Sequence, residues 1–315
     1  MRAQDPKGPW DCVVAGVSDA CNFIKPIKLL YNNQEVRQNA GNCFVLNGWL
    51  FMGSLVFYNL LLRPSIQFVL VYTWNANERE QNRLLSDASL VAVEKALWVV
   101  FNVAWVFPLF FLAKVLNSLY YQKVANISFR VFRGEALAGY DKIRQQDIVG
   151  WLSLNVADLI YSFIMQTIMV IEIAFLPHAP FGPVLSFIFS CWITSLYCFE
   201  YGWINAGWSL NKRIKFFERH WAYFFGFGFP FTIITFFWEF FVSTAVFSML
   251  FPLYVIMATA NNPIPTSKEL SLYRWAPESV PICSPARQIT NRLVRLLGTA
   301  PATSSPSPVP AASRR

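Results

Sequence analysis

The stretch from residue 222 to 260 is apolar almost without interruption. As one straight helix it would be roughly 58 Å long at about 1.5 Å per residue. The hydrocarbon core of a bilayer is only about 30 Å thick. The chain must therefore fold back on itself, and Trp238-Glu239 offers the turn. Each arm is then close to the minimum spanning length, or enters only part of the membrane. Four apolar stretches precede it: residues 43–74, broken by Arg63-Pro64; residues 96–112, with Pro108 inside; residues 149–176; and residues 181–201. Pro64 is expected to kink the first.

Composition supports lipid as the solvent. Hydrophobic residues make up 55% of the chain and charged residues 14%, whereas soluble domains carry about 25% charged residues. Lys and Arg lie mostly between the apolar stretches or in the tails, and successive segments alternate between rich and poor. Six follow the second stretch, none separate the third from the fourth, four follow the fourth, and seven lie in the tail. The positive-inside rule then puts both termini in the cytosol, provided the last stretch crosses twice or re-enters. The reading is an all-α integral membrane protein with about six membrane segments, the last pair a bent or re-entrant hairpin. Residues 1–42 form a cytosolic N-terminal segment, 43–260 the polytopic domain, and 261–315 a cytosolic, largely disordered tail rich in Pro, Ser and Ala. No cleavable secretory signal is read in the first forty residues; the first span is expected to act as an uncleaved anchor.

The net charge of +8 raises the question of nucleic acid, but no basic helix or zinc module supports it. Two segments have the apolar and basic faces of a helix at a membrane interface. In residues 115–133, Leu116, Tyr120, Val124, Ile127 and Val131 oppose Lys123, Arg130 and Arg133; packing on neighbouring protein is the other reading. In residues 287–297, Ile289, Leu293, Leu296 and Leu297 oppose Arg287, Arg292 and Arg295. The expected partners are the lipid bilayer and anionic lipids.

Ionisable residues within apolar stretches are functional candidates, because burying them costs free energy. Asp158 is the one most clearly inside; a proton or solute relay and a structural hydrogen bond are both open for it. Glu172 and Glu239 lie near the luminal ends. Glu200 sits at the cytosolic end of the fourth stretch, within reach of Lys or Arg in the next loop. Gly226, Gly228 and Pro230 open the last stretch; they permit close helix approach and a bend, or a half-helix pointing N–H groups at an anion. The six cysteines show no CxxC pair. His178 and His220 are far apart, so no metal site is read. No acyltransferase, phosphate-loop or GxSxG motif points to an enzyme or a cofactor.

Three segments carry a family resemblance. The first is Leu196-Tyr197-Cys198-Phe199-Glu200-Tyr201, followed by Glu218-Arg219-His220-Trp221 and by residues 223–230, which end in Gly226-Phe227-Gly228-Phe229-Pro230. The second is Trp105-Val106-Phe107-Pro108-Leu109-Phe110, and the third Phe247-Ser248-Met249-Leu250-Phe251-Pro252-Leu253. Together they resemble the etoposide-induced protein 2.4 family. The resemblance implies an endoplasmic reticulum membrane protein needed for autophagy, linked to apoptosis and growth suppression, with autophagy or apoptosis proteins as partners. It also implies a distant likeness to bacterial sulfate permeases, hence the alternative of a small-anion channel or transporter. The family's Arg-rich block before the first span is short or missing here, which weighs against importin-type partners. Glu200, Tyr201, Glu218, Arg219, Trp221, Gly226, Gly228 and Pro230 are motif positions to which the family assigns no catalytic role.

Overall fold

The computed structural model describes residues 8–65, 67–68, 92, 95–96, 98–101, 103–104, 107–134, 148–176, 180–238, 240–261 and 279–296. Among them all regular structure is helical. Three helices open the chain: α1 (Pro9–Ala20), α2 (Ile24–Asn32) and α3 (Gln34–Asn47). The Asn33 side chain caps α3 by accepting the Val36 N–H at 3.0 Å, as a short polar side chain does at a helix start. The chain then widens to π-helix over Gly48–Gly53, tightens in α4 (Ser54–Phe57) and widens again over Tyr58–Leu62. At Pro64 it stays helical, and the irregularity falls just ahead of the expected kink. Proline lacks an N–H and its ring crowds the carbonyl four residues back. The widened turn before it opens that space.

The end of the second stretch, residues 107–112, and the segment at 115–133 lie in one helix, α5 (Phe107–Arg133). Pro108 lies in its first turn, where a missing N–H is no loss. The face of α5 turned inward is not the one apolar periodicity marked. Asn117, Tyr121, Val124, Ala125, Ser128 and Phe129 are buried, while Val131 is exposed. Polar Asn117 and Ser128 can face protein because each is satisfied there. Asn117 and Asn47 of α3 exchange side-chain hydrogen bonds at 2.7 and 3.0 Å. Ser128 donates to the Val124 carbonyl at 2.7 Å. This face of α5 therefore packs on protein rather than on headgroups.

Two antiparallel helices follow, α6 (Ile148–Phe175) and α7 (Gly182–Asn205), then the short α8 (Leu210–Arg219). The long apolar stretch is divided into α9 (Trp221–Phe236) and α10 (Phe240–Ala260). The break lies at residues 237–238, where the length argument requires a turn; Glu239 is outside the described residues. Phe231 stacks on Phe247 at 4.8 Å and on Tyr254 at 4.1 Å, so the two arms lie face to face. Gly182–Asn205 and Val242–Ala260 are long and apolar enough to cross a membrane, whereas Ile160–Phe175 and Trp221–Phe236 are apolar but shorter. The last helix is α11 (Ser284–Leu296). It starts three residues earlier than its amphipathic pattern suggests.

The core lies where α1, α7, α9 and α10 meet. Phe199 of α7 contacts Phe224 and Phe227 of α9 edge-on, at 5.1 and 4.7 Å. Such arrangements set the positive edge of one ring against the negative face of another.

Candidate functional site

Successive residues of a helix are turned by about 100°, so two glycines two apart face nearly opposite ways. On α9 that is how Gly226 and Gly228 act. A Cβ at Gly226 would press on the Val13 carbonyl of α1, with the Val13 Cα 2.9 Å away. A Cβ at Gly228 would press on the Cys191 carbonyl of α7, with the Ser195 Oγ at 2.8 Å. The contact with α1 is glycine on both sides. Gly16 faces the Tyr223 carbonyl and lies 2.7 Å, measured from an ideal Cβ, from the Phe227 nitrogen. Cys12, Gly16 and Ala20 recur every four residues and are all buried, giving α1 a flat face of small residues. On the other side, the Ser195 hydroxyl donates to the Phe224 carbonyl, and the Trp192 indole donates to the Trp221 carbonyl at 3.0 Å. Pro230 follows, half-buried, with α9 helical beyond it. Protein backbone thus occupies both glycine faces, and the space an anion would need beside them is taken.

The second feature is a buried charge. The Arg213 side chain on α8 is 4% exposed, and its Nη1 donates to Glu200 Oε1 at 2.6 Å. Ser162 of α6 donates to the same oxygen, and the Gln166 amide donates to Oε2. One carboxylate therefore joins α6, α7 and α8. A buried ion pair repays its desolvation only when its remaining lone pairs are bonded, and here both carboxylate oxygens are. Beyond the cluster, Gln122 of α5 donates to Asn126 at 2.7 Å and to Asn205 at 3.0 Å.

The same end of the bundle carries the other motif positions. The Glu218 carboxylate accepts the Cys283 N–H at 3.0 Å, and its carbonyl accepts the Val280 N–H at 3.3 Å. Burial holds the Glu218 carboxyl above its usual range, against the opposing pull of that N–H and of Arg287. Arg219 is exposed. Tyr201 lies on the aromatic core, 6.1 Å from Phe251 and 6.3 Å from Tyr121, ring to ring. The Asp158 backbone is part of α6, but its side chain lies outside the described residues. Glu172 is half-buried near the C-terminal end of α6.

His220 closes α8, its Nδ1 set 2.8 Å from the Phe216 carbonyl. Burial, aided by the neighbouring Arg219 charge, lowers its affinity for a proton. The unfolded imidazole then takes a proton at higher pH than the folded one. Stability should be lost progressively as pH falls below about 6.5, the value of the unfolded imidazole. Thermal unfolding in detergent from pH 8 to 5 should show that fall, and His220→Gln should flatten it. An unchanged slope in the variant would assign the effect elsewhere.

Among the described residues, no group of three or more His, Cys, Asp or Glu side chains could hold a metal ion. Sequence reading found Glu200 and its arginine-bearing loop but missed Ser162 and Gln166. Their spacing by four in an apolar stretch was the signal, since it sets two polar side chains on one helix face. It also missed Asn47, Asn117 and the link from the Tyr223 hydroxyl to Asp19, at 2.8 Å.

The family described as Sulfate transporter CysZ/Etoposide-induced protein 2.4 matches residues 22–258. Protein EI24 homolog of Arabidopsis thaliana is 30% identical over 264 residues, covering 79% of this chain and 82% of that protein. Protein EI24 homolog of Dictyostelium discoideum is 28% identical over 305 residues, covering 94% and 89%. Ectopic P granules protein 4 of Caenorhabditis elegans is 26% identical over 161 residues, about half of each chain. No solved structure matches the chain.

Proposed function

The chain belongs to the family of sulfate transporter CysZ and etoposide-induced protein 2.4, and from that premise we propose that it is a non-enzymatic, multi-pass protein of the endoplasmic reticulum membrane that acts in autophagosome formation or maturation. Both termini face the cytosol in this reading, and the protein works by shaping bilayer or by scaffolding contact sites. Its apolar helices support the membrane part. The family resemblance supports the autophagy part.

The observation that favours a scaffold is the Glu200 cluster. The buried guanidinium of Arg213 points at a carboxylate of the same chain, and Ser162 and Gln166 turn their donors to that carboxylate too. The Nη1 group of Arg213, the Ser162 hydroxyl and the Gln166 amide are thus engaged in joining helices. The rival reading, a small-anion channel or transporter, draws on the sulfate transporter in the family's name.

Two assays on one variant separate them. Asp158→Asn keeps the shape of the side chain and its capacity to hydrogen-bond. Under the scaffold reading it restores autophagic flux to cells lacking the protein, and wild-type protein in liposomes carries no sulfate above empty liposomes. A stable Asp158→Asn chain that fails to restore autophagy, together with wild-type sulfate flux that the substitution abolishes, would replace the scaffold with the transporter. Asp158→Leu removes the polar group and should lower abundance, because a partner left unbonded costs roughly 1–3 kcal/mol.

A further inference from the structure

Of the two segments whose sequence suggests an interfacial helix, α5 turns its inward face to protein, but α11 leaves Ile289, Leu293 and Leu296 outside the protein core. The residues that α11 buries are small, Ala286 and Thr290. Ile289, Leu293 and Leu296 are exposed, Leu296 by 83%. At about 100° per residue those three fall on one stripe; Arg292 borders it on the side away from the buried face, and Arg295 lies further round, opposite that face. The helix carries Arg287, Arg292 and Arg295 and no acidic residue.

The orientation of that stripe is fixed by contacts at both ends of the segment. The Glu218 carboxylate holds the Cys283 N–H just before α11. The Tyr161 hydroxyl of α6 donates to Asn291 at 2.6 Å. Tyr161 is adjacent to Ser162 of the Glu200 cluster, so α11 lies at the end of the bundle where α8 stops and α9 starts. The charge at that end is arranged to leave positive groups outward. Asp19 accepts from Tyr223, Glu200 from Arg213, and Glu218 from Cys283. Among the exposed charges of α2, α3 and α8, the basic Lys28, Arg37, Lys212, Lys215 and Arg219 outnumber the acidic Glu35.

We infer that α11 is a headgroup-binding helix, which lays Ile289, Leu293 and Leu296 into the anionic cytosolic leaflet of the membrane the protein spans and sets Arg292 and Arg295 at the lipid phosphates. This rests on the membrane reading above and deepens it, naming anionic phospholipid as the partner. Charge complementarity selects the occupant: a positive helix without acids suits an anionic surface. An apolar stripe of three side chains beside arginines is the pattern of helices that bind in the interface plane.

The test uses the full chain in lipid nanodiscs. Cys21 is the exposed cysteine, and the other five are buried, so Cys21→Ser gives a quiet background. Leu293→Cys on the stripe and Gln288→Cys on the polar side are each labelled with a neutral, water-soluble maleimide. In discs containing phosphatidylserine, Leu293→Cys should label about tenfold more slowly than Gln288→Cys. In discs of phosphatidylcholine alone, the ratio should fall to about threefold or less, and adding Arg292→Glu and Arg295→Glu should bring it within about twofold in either lipid. Equal labelling of the two positions in anionic discs would overturn the inference. So would equal protection in neutral discs and detergent, which would mean that another part of the chain or a second protein copy covers the stripe. A chain that is not a membrane protein would fail to enter the discs at all, so the two readings fail differently.

Discussion

Gly226→Ala is expected to detach α1, and Gly228→Ala to detach α7, each without disturbing the other contact. Alanine improves helix propensity by about 1 kcal/mol over glycine. Against that, the added carbon at position 226 meets the Val13 backbone at distances under 3.0 Å, which real Cβ atoms do not show. Backbone cannot turn aside as a flexible side chain can, so the two helices must separate. A gap of 0.5–1 Å forfeits about a quarter to a half of the dispersion attraction between facing atoms. The clash should outweigh the propensity gain, for a net loss of about 3 kcal/mol or more. Thiol reactivity reports each side separately. Cys12 shares the small-residue face of α1 with Gly16, and the Cys191 backbone faces Gly228; both thiols are buried. Gly226→Ala should raise labelling of Cys12 alone, and Gly228→Ala that of Cys191 alone. If both cysteines react together in either variant, the two contacts are not independent.

Removing one member of the Glu200–Arg213 pair should be the other large effect, and an asymmetric one. Glu200→Ala leaves a guanidinium that is almost wholly buried without its carboxylate, a loss of about 3–5 kcal/mol. Arg213→Ala leaves Glu200 with the Ser162 and Gln166 donors and should cost less. The double variant should be more stable than Glu200→Ala alone, because the buried guanidinium is removed together with its carboxylate; a coupling of about 1–3 kcal/mol is expected between them. Unfolding in detergent of all four proteins measures it. Strictly additive losses would mean that the pair contributes nothing beyond its separate packing.

Much of this architecture was readable beforehand, for identifiable reasons. The break between α9 and α10 followed from length alone, since no bilayer accommodates the whole stretch as one straight helix. Glu200 finding an arginine in the next segment followed from the cost of leaving a carboxylate alone in an apolar stretch. The inward face of α5 was not readable, because Asn117 and Ser128 look like solvent-facing residues until their partners are known. Asn47 is 70 residues from Asn117, and no periodicity joins them. Nor was the docking of α1 on α9. The spacing Gly-x-Gly shows that α9 has two bare faces, but not which helices fill them.

That docking has a consequence for biogenesis. The Asp19–Tyr223 hydrogen bond spans 204 residues. At synthesis rates of about 5–20 residues per second, α1 leaves the ribosome roughly 10–40 s before its binding face exists. During that time its small-residue face has no partner within the chain, so the membrane surface or a chaperone must shelter it. α1 is therefore made long before it can be seated, and its seating requires that α9 has been synthesised. A cell's quality control could read that one contact to separate finished chains from chains that stopped short of α9, which should be cleared however well their earlier helices are inserted.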